Sequence, residues 1–159
     1  GGTLENDVKG AGNTYINGNV VSNNLIENAM TINAEKALTI SAGNVGNTVA
    51  NSGTLNLGAG TLTKAVSGTG TIVTTGNVTS VADLLGNVVT NANTLTLNGG
   101  TLGKSISGSG TTVIADNVDA NAAISNAITI NSEKSLDLFF KISISFHIIQ
   151  LYRILWILR

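Results

Sequence analysis

The residues that could do chemistry are few and scattered. Nine carboxylates are spread over 159 residues, and His147 is the only histidine. A sugar-cleaving site needs two carboxylates on one face, a proton donor and a base or nucleophile, with a basic group beside them. Asp116 and Asp119 are the nearest approach to such a pair, and Asp83 belongs to another part of the chain. Residues 1–138 contain neither His nor Cys, so no nucleophile–base–acid set can be assembled from those types. The glycine pairs Gly68/Gly70 and Gly108/Gly110 imitate half of a nucleotide loop. They lack the following helix and Lys that hold a phosphate. The stretches GAGTLT and GSGTTV carry Thr where a calcium-binding glycine repeat carries Asp. We therefore expect no enzyme, no catalytic residues, no cofactor-binding or metal-ligating residues and no cofactor.

Two smaller patterns have binding readings. The pairs Glu35-Lys36 and Glu133-Lys134 occur at equivalent places; we read them as solvated loop tips rather than as a binding loop. Thr61-Leu62-Thr63 and Thr94-Leu95-Thr96 suggest the flat threonine face of an ice-binding solenoid. The pattern is irregular, with Asn56 at one equivalent position.

Composition excludes other classes. Charged residues are 11% and the net charge is −1, so the electrostatic footprint of a nucleic-acid binder is missing. With 42% hydrophobic residues, the chain is too apolar for disorder at such low charge. Pro and Cys are both absent, so neither a disulfide framework nor a cysteine-ligated metal holds it together. Gly and Asn suit tight corners, while Val, Ile and Thr suit strands.

Self-comparison shows what positions these residues. One segment occurs three times: GTLENDVKGAGNTYINGNV from Gly2, GTLTKAVSGTGTIVTTGNV from Gly60 and GTLGKSISGSGTTVIADNV from Gly100. After the first copy comes NNLIENAMTINAEKALTI and after the third NAAISNAITINSEKSLDL, matched through Glu35/Glu133 and Lys36/Lys134. The second copy lacks this unit. Residues from Ala42 align with residues from Ala82, pairing Asn51 with Asn91 and Leu55 with Leu95. Whole units that can be present or absent point to an array in which each unit touches only its neighbours.

Leu55-Asn56-Leu57 and Leu95-Thr96-Leu97 alternate with the period of a half-buried strand. The expected fold is all-β, a right-handed parallel β-helix of about 20 residues per coil. Residues 1–138 would make about seven coils, a rod roughly 30–35 Å long. Leu4, Leu62 and Leu102 would share one interior column type, and Asn28, Asn47, Asn87 and Asn126 would ladder amide to amide at the turns.

Residues 139–159 break the pattern. This tail holds five aromatics, both arginines and His147. We read it as the product of a shifted reading frame, with a membrane-associating tail and a hydrophobic cap on the solenoid as the other readings. Lys141, His147, Gln150 and Arg153 interrupt it, which is costly within a bilayer. A lone His147 is read as no site. The chain opens inside a repeat copy with no signal-like segment before it, so an internal piece of a longer array is expected.

The modules GTLNLGAGTL, TLTLNGGTL and VSGTGTIVTTGNV resemble the passenger regions of bacterial autotransporters and related repetitive adhesins. The resemblance covers residues 2–138 and rests on repeat style. It implies a right-handed β-helix stalk, secreted and displayed on the bacterial surface. Such a stalk would meet host or neighbouring-cell surface molecules through multivalent weak contacts, with no nucleic-acid partner and no membrane-embedded solenoid. The class to be weighed against it is a carbohydrate-active β-helix.

Overall fold

The computed structural model describes residues 1–139; within the aberrant tail, residues 140–159 lie outside the described residues. The chain winds as an all-β parallel solenoid of about 8 turns, at about 17 residues per turn.

Three faces make each turn. The first is one continuous parallel sheet. It runs from Gly2–Leu4 through Val20–Ser22, Ala37–Ile40, Thr54–Leu57, Thr71–Thr74 and Val88–Asn91 to Ile106–Ser107. Ile124 then bridges to Ile106. The second face opens with Val8, Ile26 and Val45, joined by single parallel bridges. It continues through Gly60–Leu62, Val78–Ser80 and the N-terminal halves of Thr94–Leu102 and Thr111–Ala120 to Ala127–Ile130. The third runs through Asn13–Ile16, Ala29–Ile32, Val49–Asn51 and Val66–Ser67 to Leu85. The C-terminal halves of the two long strands and Leu136–Leu138 complete it.

Two short 3₁₀ turns, Ala42–Asn44 and Ala82–Leu84, stand where strand pairing is interrupted between adjacent coils, on the second and third faces respectively. The first packs against Gly60–Leu62 and the second against Thr94–Leu102.

Alternation does what the sequence requires. Along Ala37–Ile40 and Thr54–Leu57 every second residue is buried, because successive side chains on a strand point to opposite faces. The inward set stacks as Leu38, Leu55, Ile72, Val89 and Ile106, each pairing the next in register. All five are fully buried, and each contributes about 1.5–3 kcal/mol on leaving water.

The coil is shorter than the expected 20 residues, and this changes which residues stack. The three GTL copies lie on three different faces: Gly2 pairs with Val20 on the first, Gly60 with Val78 on the second, and Gly100 with Val118 on the third. Leu4, Leu62 and Leu102 therefore do not share a column. A 40-residue repeat spans two coils of about 17 residues plus roughly one further face, so each copy lands one face on.

Local conformation nevertheless travels with the module. Gly10, Gly68 and Gly108 all have positive φ, at 120°, 117° and 110°. Glu35 and Glu133 are both left-handed, at 60° and 61°. The 3₁₀ turns also occupy matched positions. Short-range sequence sets the backbone of each corner, and the three faces accept the same strand because all of them present the same aliphatic interior.

The optional unit is one coil. Ser22, which precedes it, pairs with Ile40, its last residue. Its presence or absence adds or removes a whole turn without rotating the later coils.

Candidate functional site

Asn side chains are the polar groups that the fold uses most, and they act as clamps between coils. Asn19, Asn77 and Asn117 hold one position of the module. Their Oδ1 atoms accept from the backbone N–H groups of Ala37, Thr94 and Ser135 at 3.0, 3.4 and 3.0 Å. Each such bond spans one coil and satisfies a donor at a corner where the strand ladder breaks.

The amide ladder expected of Asn28, Asn47, Asn87 and Asn126 does not form. These residues precede strands on different faces, because their modules have rotated. Asn28 and Asn47 stand before third-face strands, Asn87 before a first-face strand and Asn126 before a second-face strand. Three of these amides reach other groups instead. Asn47 Nδ2 donates to Glu27 O at 3.3 Å, and Asn87 Nδ2 to Gly70 O at 3.0 Å. Asn126 Oδ1 accepts from Thr112 Oγ1 at 3.0 Å. Among the described residues, the one side-chain amide pair that does bond is Asn33 with Asn17.

The acidic residues are arranged along the outer surface. Asp116 is exposed and accepts from Asn117 N–H at 2.9 Å and from Lys134 Nζ at 3.1 Å. The Asn117 hydrogen bond, and after it the Lys134 ammonium, hold its carboxyl below the ordinary aspartate value. Lys134 thus turns back from its corner onto the preceding coil. Glu133 beside it is exposed, as are Glu35 and the rest of that equivalent corner apart from the half-buried Lys36.

Asp119 stands directly opposite Asp137 in the parallel register. Asp83 lies in another coil, as expected, yet in the same outward column: its Oδ2 accepts from Thr101 N–H at 3.1 Å, and Thr101 is the register partner of Asp119. The column places Thr101 between Asp83 and Asp119. Among the described residues no group of three or more His, Cys, Asp or Glu could hold a metal ion.

The glycine pairs serve packing. Gly68 approaches the backbone of Asn51, and Gly108 approaches that of Asn91, so closely that a Cβ at either would overlap a carbonyl oxygen. Gly70 N–H and Gly110 N–H donate to those same carbonyls at 2.9 Å. Their N–H groups are engaged within the solenoid rather than cradling an anion.

Threonines form a partial file on the second face. Thr61, Thr79 and Thr96 are successive register partners; the column continues with Val113 and then Thr129. Their inward neighbours Leu62, Val78, Ser80, Leu95 and Leu97 are buried, so the threonines face out. Single-residue spacing could not reveal this file, because coil length decides which threonines meet. His147 lies outside the described residues. No helix among the described residues is long and apolar enough to cross a membrane. The chain matches no family model, no curated protein and no solved structure.

Proposed function

We propose that this chain is a segment of a secreted, surface-displayed bacterial rod of the autotransporter-passenger or adhesin kind, and that it carries out no catalysis. The observation that supports the reading is the stepping of one sequence module around three faces of a continuous parallel stack. A rod built this way shows the same corner on every side. Contacts with host or neighbouring-cell surface molecules are then weak per coil and gain strength by repetition. Its polar side chains serve to join coils, as the Asn19, Asn77 and Asn117 clamps do.

The test is to offer the purified chain to polysaccharides, with and without chelator, and separately to cell surfaces. Binding that rises steeply with the number of tethered copies, without turnover, is the expected result. Turnover abolished by a single Asp or Glu substitution would place the chain with the carbohydrate-active β-helices instead.

One observation favours a second reading. The file Thr61, Thr79, Thr96 repeats hydroxyls at the coil rise of about 4.8 Å, a spacing that suits an ordered lattice such as ice. Val113 interrupts it. Thermal hysteresis in cooled solutions, lost on Thr79→Val, would support that reading over the first.

A further inference from the structure

Asn19, Asn77 and Asn117 occupy the same position of the module, but the chain goes on differently after each. The continuations are Asn19-Val20-Val21, Asn77-Val78-Thr79 and Asn117-Val118-Asp119. Asn77 is the one asparagine of the sequence with Ser or Thr two residues on. Asn-X-Ser/Thr, with X other than Pro, is the triplet that accepts an N-linked sugar. The triplet by itself is a weak signal; the structure adds how its side chains are presented.

Asn77 is exposed at the corner that joins Thr71–Thr74 on the first face to Val78–Ser80 on the second. Val78 points inward and is buried. Asn77 and Thr79, on either side of it, therefore both point outward, as residues i and i+2 do along a strand. The Asn77 side chain is held only through Oδ1, which accepts from Thr94 N–H at 3.4 Å. Among the described residues, neither Asn77 Nδ2 nor Thr79 Oγ1 has a hydrogen-bond partner. Coils lie on both sides of Thr71–Thr74, so the exposure of Asn77 belongs to the corner itself and owes nothing to either end of the chain.

Two features set this corner apart from its equivalents. Its Oδ1 bond is the longest of the three, against 3.0 Å at both Asn19 and Asn117, so its amide is the least costly to turn outward. The coil below passes the corner as Gly58-Ala59-Gly60, between the register pairs Thr74 with Leu57 and Val78 with Gly60. Nothing larger than a methyl group therefore flanks Asn77 on that side. At Asn117 the neighbours are instead the Asp116 carboxylate and the Lys134 ammonium that donates to it.

We propose that Asn77 is an N-glycosylation site, accepting a sugar from a donor whose C1 is bonded to phosphate. The new bond joins C1 to Asn77 Nδ2. The bond from C1 to the phosphate oxygen breaks, the phosphate leaves with the electron pair, and a base on the transferase takes the proton from Nδ2. Thr79 supplies the hydroxyl that the transferase reads beside the amide. The attached sugar projects from the corner into solvent, where its bulk disturbs no buried contact. The site needs only an exposed corner and does not depend on the surface role proposed above.

The experiment offers the purified, folded full chain to two Asn-X-Ser/Thr transferases, each shown active on an unfolded acceptor peptide with the same triplet. One is soluble and uses a nucleotide-linked hexose; the other is membrane-bound and uses a lipid-linked oligosaccharide. Intact mass should show one sugar per chain in at least one arm, which identifies the donor, and peptide mapping should place it on Asn77. Asn77→Gln and Thr79→Val should each reduce the product at least tenfold, Thr79→Ser should retain it, and the circular dichroism spectrum should be the same with and without the sugar. Asp119→Thr adds a second triplet at Asn117, which should be modified at least fivefold more slowly than Asn77. A folded chain left unmodified in both arms overturns the proposal, as does a sugar on any other residue of the natural sequence. Equal rates at Asn77 and Asn117 would also overturn it, since the triplet and not the corner would then decide.

Discussion

Asn51 and Asn91 make the same hydrogen bonds on two different faces of the solenoid. Asn51 ends a third-face strand and Asn91 a first-face strand. Both are fully buried. Asn51 Nδ2 donates to Thr71 O and Asn91 Nδ2 to Thr111 O, each at 3.0 Å. Their Oδ1 atoms accept from Gly53 N–H and Asn93 N–H, each at 3.1 Å. The corner is therefore a self-contained device that functions wherever the winding places it.

Truncating either clamp should cost similar stability. Asn51→Ala and Asn91→Ala each remove the side-chain partner of one backbone N–H and one backbone carbonyl at a part-buried corner, at about 1–3 kcal/mol in total. Asn91→Ala should be the worse of the two, since Asn91 Oδ1 also accepts from Thr74 Oγ1 at 2.7 Å. Denaturant titration of the two variants checks this; an effect at only one of them would show that the faces are not equivalent.

Gly108→Ala should destabilise by about 2 kcal/mol or more, because a side chain is strained at positive φ and this one would also meet the Asn91 carbonyl. Gly103→Ala should be nearly silent, as nothing lies within 4 Å of its Cβ position. Comparing the two melting temperatures separates local strain from a general cost of replacing glycine.

Removing residues 23–40 should leave a folded solenoid one coil shorter. Ser22 then takes the place of its register partner Ile40, and every later face keeps its orientation. Deleting residues 31–40 instead cuts out part of a turn and brings strands to the wrong face, so the inward and outward sets no longer match. A cooperative melt with a strand-rich circular dichroism spectrum is expected for the first deletion and not for the second.

Asp116 should titrate below an ordinary aspartate. Its carboxylate is favoured first by the Asn117 N–H and then by Lys134. A depressed folded value contributes stability above the unfolded value, lost as pH falls through the folded one. Because Asp116 is fully exposed, that contribution is heavily screened by solvent. NMR titration should show the value rising only part of the way in Lys134→Ala, since the backbone hydrogen bond remains. A full return to the ordinary value would assign the shift to Lys134 instead.

Strands, corners and the stacked character of the fold were legible because they depend on neighbours in sequence. Leu55-Asn56-Leu57 buries alternate residues as its pattern implies, and the matched Asn and Gly positions do mark corners. Coil length was not legible. A sequence period reports where a module recurs, whereas a coil closes when the chain has turned three corners; with three like faces, these two lengths need not agree. From that single ambiguity came the mistaken column of Leu4, Leu62 and Leu102 and the mistaken ladder of Asn28, Asn47, Asn87 and Asn126. The Asp83–Thr101–Asp119 column stayed hidden for the same reason: it depends on a spacing of 18 residues that no repeat displays.

The most direct test of the winding is a disulfide between adjacent coils in this cysteine-free chain. Thr39 and Asn56 are register partners on the first face, with Asn56 Nδ2 donating to Thr39 Oγ1 at 3.0 Å. The pair Thr39→Cys with Asn56→Cys should oxidise readily within one chain and raise the melting temperature, whereas Thr39→Cys with Ala59→Cys, set a 20-residue coil apart, should stay reduced. Rapid closure of the second pair and not the first would contradict a coil of about 17 residues, and with it the passage of the module from face to face.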